Sequence, residues 1–344
     1  MLFANPFTRV TLVTVSPLLA LAIGCGGGDR TRTTTTVATG ATVDTTPTTT
    51  TSASTTSQPA PTAVSYESAE AVFTAGRYAE AADLFASYTE RKPENPWGFY
   101  MLGLASWKAG NLAQAEVAFD QALKLDPKHQ KSWLNSARVL LDLGRADEAL
   151  QRVQTALEHD SASAEAWRLL GRAQVELGDA DEAVEAYRHA ITLDDRDVWA
   201  MNNLGLVYIQ QGHYSEALPP LARATQLKPT ASVFQNNLGQ ALERSGYPAA
   251  AEAAYQAALA ADSTYAKASF GLERVKTRGE DSTGAEVDLA SLARDFQVSV
   301  EQWRGEFAHA NASDDDDAAA DSTTTSSMAR DSTSDEVSRP DSSH

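Results

Sequence analysis

The chain has 344 residues and a formal net charge of -18. Phosphate backbones are bound through a basic footprint, so this balance excludes nucleic acid as a partner and mainly favours solubility. The length admits one large domain or two ordinary ones, but apolar and aromatic residues concentrate between about Ser65 and Phe307, and only that stretch can bury enough surface to offset chain entropy.

Arg9 is the only charge ahead of a mostly apolar run from Val10 to Ile23. As a helix this run would reach about 21 Å, short of a hydrocarbon core of about 30 Å, and it has the length of a secretory apolar segment. It ends in Leu21-Ala22-Ile23-Gly24-Cys25, followed by three glycines, and Cys25 is the only cysteine. One thiol excludes an internal disulfide and any CxxC site. The segment resembles a bacterial lipoprotein signal, with Ala22 where that family usually has Leu. The resemblance implies that residues 1–24 are removed and that Cys25 is diacylated and becomes the mature N-terminus. Two or three acyl chains hold a protein on a membrane far more firmly than one. Gly26 after the cysteine, rather than Asp, implies the outer membrane in a diderm organism. The other expectation is an ordinary signal peptide cut nearby, a free Cys25 thiol and a secreted protein.

Residues 25–64 are threonine-rich with scattered Ser, Ala and Pro and lack helical or strand periodicity. They read as a flexible linker reaching about 30–35 Å root-mean-square. Their threonine density also permits O-glycosylation.

The middle of the chain repeats every 34 residues. Gly103, Gly171, Gly205 and Gly239 hold one phase, with Ala137 in the gap at that spacing. Gly76, Gly110, Gly144, Gly178, Gly212 and Gly246 hold a second, and Ala81, Ala115, Ala149, Ala183, Ala217 and Ala251 a third. Four residues after those alanines come Phe85, Phe119, Val153, Tyr187, Leu221 and Tyr255, and Pro93, Pro127 and Pro229 close three units. Repeats of this length stack because no single hairpin buries its own apolar face.

With Trp133 and Trp167 at the fourth position and Leu-Gly pairs at the seventh and eighth, the units resemble tetratricopeptide repeats. The register is 62–95, 96–129, 130–163, 164–197, 198–231 and 232–265, with repeat one lacking the Trp and Leu-Gly features. The resemblance implies an all-α fold, a right-handed superhelical solenoid of six helix-turn-helix hairpins over about 65–276. Small residues at the Gly103 and Ala115 phases let the helices of a hairpin approach, and the Gly110 phase supplies the turn between them. The Phe119 and Tyr187 phase is expected to fill the space towards the next hairpin.

Ala266 to Val275 reads as the first helix of a seventh unit. Thr283 with Glu286 reads as a capping box opening a helix over 283–309. Leu289, Leu292, Phe296, Val300, Trp303 and Phe307 recur at a helical period. This helix is expected to cover the open end of the solenoid or to serve as a partner or dimerisation helix. Residues 310–344 read as an acidic disordered tail. Nine acids face two arginines between Asn311 and His344, and Asp314 to Asp317 lack the glycine-turned loop of a calcium site.

Nothing in the sequence assembles catalytic chemistry. His129, His159, His189 and His213 fall at different repeat phases, and His309 and His344 lie outside the repeats. HExxH, GxxxxGK(S/T), GxGxxG and GxSxG are all missing. Asp194, Asp195 and Asp197 sit at an inter-repeat turn, where acids cap the following helix. The expectation is a protein that is not an enzyme, with no cofactor, metal or small-molecule substrate.

The resemblance further implies a concave groove lined by motif positions 2, 5, 9, 12 and 13 of each first helix. These are Trp97, Tyr100, Leu104, Trp107 and Lys108 in repeat two, and Lys131, Leu134, Arg138, Leu141 and Asp142 in repeat three. In repeat four they are Glu165, Arg168, Arg172, Val175 and Glu176. Five cations beside aromatic anchors suit a peptide with apolar and acidic groups. Equally, those cations pair with Asp142, Glu165 and Glu176 and solvate the face. Asn202, Asn203, Asn236 and Asn237, with Asn135 at the phase of Asn203 and Asn237, resemble the asparagine ladder of some superhelical relatives. Amides there hydrogen-bond a bound peptide backbone, or bond between helices instead. The acidic tail also suits the cationic stretch as an intramolecular occupant. The expected function is a membrane-anchored scaffold or adaptor of the bacterial cell envelope, binding a protein or peptide in its groove. The alternatives are a secreted scaffold without lipid and an accessory subunit related to a transferase.

Overall fold

The computed structural model describes residues 64–277 and 286–328, with residues 310–328 as backbone only. The signal segment, Cys25, the threonine-rich linker, Thr283 and residues 329–344 lie outside the described residues. No described helix is long and apolar enough to cross a membrane.

The described elements are all helical. Six hairpins follow in chain order: α1 (Tyr66–Thr74) with α2 (Tyr78–Arg91), α3 (Pro96–Lys108) with α4 (Leu112–Leu125), and α5 (Gln130–Asp142) with α6 (Ala146–His159). Then come α7 (Ala164–Leu177) with α8 (Ala180–Leu193), α9 (Val198–Gln211) with α10 (Tyr214–Leu227), and α11 (Ser232–Arg244) with α12 (Pro248–Ala261). The single helices α13 (Ala266–Thr277) and α14 (Leu289–Met328) complete the order.

Each hairpin turns on its second-phase glycine, and all six of these have φ between 73° and 94°. That left-handed conformation is one that side chains with a Cβ rarely adopt, which accounts for the unbroken glycine at this phase. Five first helices, α1, α3, α5, α7 and α9, begin on side-chain caps, whereas α11 begins at Ala231 without one. Asn95 accepts from the amides of Trp97 and Gly98, Ser163 from Ala166, and Asp197 from Trp199 and Ala200. The acids expected to cap therefore include one that does so twice. Trp133 and Trp167 fix the entry to their helices by donating Nε1–H to the carbonyls of Pro127 and Ser161, and Gln235 does the same to Pro229.

The core adds a second role to the expected one. The aromatic after the third-phase alanine lies first on the glycine of its own hairpin. A Cβ on Gly103 would meet Phe119 at 2.7 Å, and one on Gly171 would meet Tyr187 at 2.8 Å. The pairing varies: a Cβ on Gly205 would meet Leu221 at 2.5 Å, and in repeat one Ala69 holds the glycine phase with Phe85 buried in the same cluster. The same phase also packs forward: Tyr187 clusters with Met201 and Leu204 of the next hairpin, Phe119 with Val139, and Tyr255 lies between Gly239 and Gly271 of α13, with Cβ approaches of 2.8 and 2.5 Å. Repeat three has Ala137 and Val153 at these two positions, both fully buried in one cluster. There a larger floor meets a smaller filler, conserving volume.

First helices lie against one another along the stack, α1 to α3, α3 to α5 and onward to α13, whereas no two of the second helices α2 to α12 approach as closely. The stack is therefore tighter on its first-helix side, and gaps open between successive second helices.

The C-terminal helix occupies one of those gaps rather than covering the open end. α14 runs alongside α8 and α10 and alongside no other helix, α13 included. Its Phe296 and Val300 are buried with Met201, Leu204 and Val207 of α9, which floors the gap. Its Leu289 and Leu292 continue the stripe onto the adjoining cluster that holds Leu218 of α10 and Val275 of α13. The helix starts later than expected, because Asp288 caps it by accepting from the Ser291 amide. It also runs past 309 to Met328, through the first part of the segment read as structureless. No glycine or proline lies between Gly305 and Pro340 to stop it. Since α14 lies beside none of α3, α5 and α7, its residues up to 328 do not occupy the cationic stretch of those helices.

Candidate functional site

The first-helix side carries the residues expected to line a groove, and the structure divides them by depth. Tyr100, Leu134, Leu141, Asn135, Asn202, Asn236 and Asn237 are buried, whereas Asn203 and Leu104 are half-buried. The deep asparagines bond to one another and to their own helices. Asn237 Nδ2–H donates to Asn202 Oδ1 at 2.8 Å, Asn202 to Asn203 at 3.3 Å and Asn236 to Asn237 at 3.2 Å. Asn135 donates to the Lys131 carbonyl at 3.0 Å and accepts from Arg138 at 2.8 Å. Of these bonds Asn237 to Asn202 joins two helices, and each of the others lies within one helix. The Asn203 amide also reaches the Tyr187 hydroxyl, whose ionisation burial pushes well above the ordinary phenol range.

The arginines form a chain of ion pairs between repeats. Arg138 pairs with Glu165, Arg168 Nε–H donates to Asp197 at 2.7 Å, and Arg172 donates to Asp142 at 2.9 Å and to Glu176 at 3.2 Å. Asp142 in turn accepts from the Trp107 indole at 2.8 Å. Burial, with Arg168 and Arg172 close by, brings the Arg138 pKa down to about 10, still protonated at neutral pH. For Arg172 burial works in the same direction, but the bonds to Asp142 and Glu176 outweigh it and raise the pKa. Of the two expectations for these cations, self-pairing is the one realised, and the first-helix face supplies its own carboxylates.

The lysines differ. Lys108 and Lys131 make no ion pair among the described residues. Lys108 stands 5.5 Å from the Trp107 ring and 5.7 Å from Tyr78, and Lys131 stands 5.9 Å from Trp97. Trp97 is 46% exposed, and so is Trp199 three repeats further along, with Lys228 at 5.5 Å from its ring. Trp199 occupies motif position 2, as Trp97 does, so its phase could have marked it in the sequence. Beneath Trp97, His129 caps α5 by accepting from the Ser132 amide at 3.2 Å, and burial lowers its pKa. The histidines near the face are thus packing and capping groups. Among the described residues no three His, Cys, Asp or Glu side chains are grouped to hold a metal ion.

Three related family models match the chain. Two described as tetratricopeptide repeat cover 106–173 and, in two blocks, 52–96 and 200–266, and one described as TPR repeat covers 171–212. Together they span more than half of the sequence. No curated protein sequence is significantly similar. Among solved structures, the Cut9-Hcn1 hetero-tetramer of the APC/C aligns with a TM-score of 0.53 at 20% identity, over 61% of this chain and 42% of that one. The C-terminal part of a TPR repeat-containing protein from Cytophaga hutchinsonii aligns with 0.50 at 16% identity, over 62% and 86%. A thermophilic TPR protein from Thermus thermophilus aligns with 0.47 at 21% identity, over 53% and 100%. These identities speak for the fold alone. With hairpins in register, a glycine turning each one and family models matching along the array, the chain belongs to the tetratricopeptide repeat family.

Proposed function

We propose that the protein is a scaffold of the bacterial cell envelope, tethered through an acylated Cys25, that holds a partner protein on its first-helix face. The observation that carries this reading is the pair of exposed tryptophans, Trp97 and Trp199, each with a lysine against its ring, on a face whose arginines are already paired. A solvent-exposed indole is costly to leave without purpose and is a frequent binding anchor. The partner segment is therefore an extended peptide with apolar side chains for the indoles and carboxylates for Lys131 and Lys228. This differs from a groove built on Arg138, Arg168 and Arg172, which would have to break existing pairs before binding anything. The array of hairpins provides the rigid support, and no bond-making step is required of it.

The test is affinity capture from solubilised membranes with the full chain and with a variant carrying Trp97→Ala and Lys131→Glu. Loss of one discrete protein from the captured set is expected, and an identical set would remove the assignment. Mass spectrometry of the mature N-terminus checks the tether. An acylated peptide beginning at Cys25 is expected, and an unmodified peptide would favour a secreted scaffold.

A further inference from the structure

The gap one unit before the one that holds α14 is open. It is a groove of about 440 Å³ lined by Trp167, Leu170 and Gln174 of α7 and by one wall of α8. Its floor residues stand one repeat before Met201, Leu204 and Tyr208, the α9 residues that floor the gap filled by α14. The two gaps are thus copies of one feature, and the chain itself demonstrates its ligand class in one of them: an amphipathic helix inserted between two second helices. α14 reaches only the edge of the open copy. Phe307 crosses α8 to stack on His189 at 3.6 Å, and the other face of that imidazole stacks on Trp167 at 4.2 Å.

The copies differ in charge. The α8 wall of the open groove presents Asp181, Glu182 and Glu185, whereas the corresponding positions one repeat on are Ser215, Glu216 and Pro219. Glu185 is paired with Arg188. Asp181 accepts only from the Gln211 amide at 2.7 Å, and Glu182 has no cation beside it among the described residues. Two uncompensated carboxylates therefore flank an apolar floor. α14 does not match that wall. Its segment 289–309 carries Arg294 and Arg304 against Asp295, Glu301 and Glu306, a net acidic balance.

We propose that this groove on α7 and α8 receives a basic amphipathic helix from a partner protein, its apolar stripe on Trp167 and Leu170 and its lysines or arginines against Asp181 and Glu182. This site is separate from the first-helix face and stands whether or not that face binds a peptide. Apolar burial supplies adhesion, and the carboxylates select the sign of the flanks.

The probe is a synthetic peptide of sequence 289–309 carrying Asp295→Lys, Glu301→Lys and Glu306→Lys, with a photo-crosslinking residue in place of Phe296. Fluorescence anisotropy against the full chain is expected to give saturable binding that weakens about tenfold in the Asp181→Lys, Glu182→Lys variant. Trp97→Ala should leave it unchanged. Cross-links are expected on α7 and α8. A scrambled peptide of the same composition controls for the overall negative charge and should bind at least about tenfold more weakly. Equal affinity for the charge-reversed variant, equal binding of the scramble, or cross-links on α9 and α10 would overturn the proposal. So would tighter binding by the unmodified 289–309 peptide, which would give the groove to a second copy of this chain.

Discussion

Repeat three provides a natural substitution experiment, because Ala137 and Val153 stand where repeat four has Gly171 and Tyr187. Installing that pair in repeat four tests whether the two positions form one packing unit. Gly171→Ala places a methyl 2.8 Å from one Tyr187 ring carbon and 2.9 Å from two more, and Tyr187 is only 2% exposed, so the ring has little room to retreat. Overpacking of this kind costs about 1–3 kcal/mol. The gain in helix propensity from Gly to Ala returns about 1 kcal/mol, leaving a net loss of about 1 kcal/mol. Tyr187→Val removes the ring and leaves a cavity, costing roughly 2–4 kcal/mol. In the double variant the methyl has no ring to strike and fills part of the vacated space. The pair should then be less destabilised than the sum of the singles by about 1–3 kcal/mol. Urea unfolding followed by circular dichroism, with all four proteins fitted to one nearest-neighbour description of the array, yields the coupling. Additivity to within about 0.5 kcal/mol would refute the idea that the glycine exists for the ring.

Three further outcomes follow from the geometry. Arg274→Ala should cost about 1.5–3 kcal/mol, because it removes the two-pronged contact, at 2.7 and 2.5 Å, to a buried Glu243 carboxylate that keeps the Tyr255 hydroxyl as a donor. Thermal unfolding of the full chain checks this, and a shift no larger than that of an exposed pair such as Arg77–Glu80 would contradict it. Asp197→Ala deletes the cap that serves two amides of α9 and the partner of Arg168, and should cost about 1–2 kcal/mol in the same assay. A null effect would mean that the cap is replaced locally. His189, held between Trp167 and Phe307, has its pKa lowered by burial. Because the folded value lies below the unfolded one, its contribution is fully present above about pH 6.5 and is lost as pH falls through the folded pKa. Hydrogen exchange over α14 should therefore quicken relative to the rest of the array on acidification, and His189→Gln should abolish that difference. Equal acceleration in wild type and variant would assign the effect elsewhere.

The hairpins were legible because their determinants are local. A left-handed turn demands glycine at Gly76 and its five successors, so that phase recurs without a break, and small residues recur at the Gly103 phase where the second helix packs closely. The cap at Asp197 could be read for the same reason. Depth was not legible. A repeat phase places Asn202 and Asn237 on the first-helix side, but only the close approach of α9 and α11 buries them and makes them partners. The arginine pairs join residues 27 to 30 apart in sequence, less than one repeat, and the candidate acids Asp142, Glu165 and Glu176 were visible. What the sequence lacked was the relative height of adjacent helices, which decides whether a cation faces a carboxylate or the solvent. Pro219 and Pro220 would ordinarily end a helix, yet α10 keeps the fourteen residues of α8, because packing against its neighbours fixes its course. The seat of α14 was out of reach, since a helical stripe states that a surface is buried without naming which one.

A row of hairpins joined along one edge and open along the other bends about the joined edge. Wherever second helices stand apart, a small rotation at each unit changes the curvature without separating first helices, so compliance is distributed along the array. α14 interrupts that freedom by wedging α8 from α10 and tying Arg188 to Glu306. Repeats four and five thus form a stiff block at the C-terminal half, while repeats one to three retain the play of an unbraced spring. A partner seated as proposed, from Trp97 to Trp199, would span both regimes, adapting the first and conforming to the second.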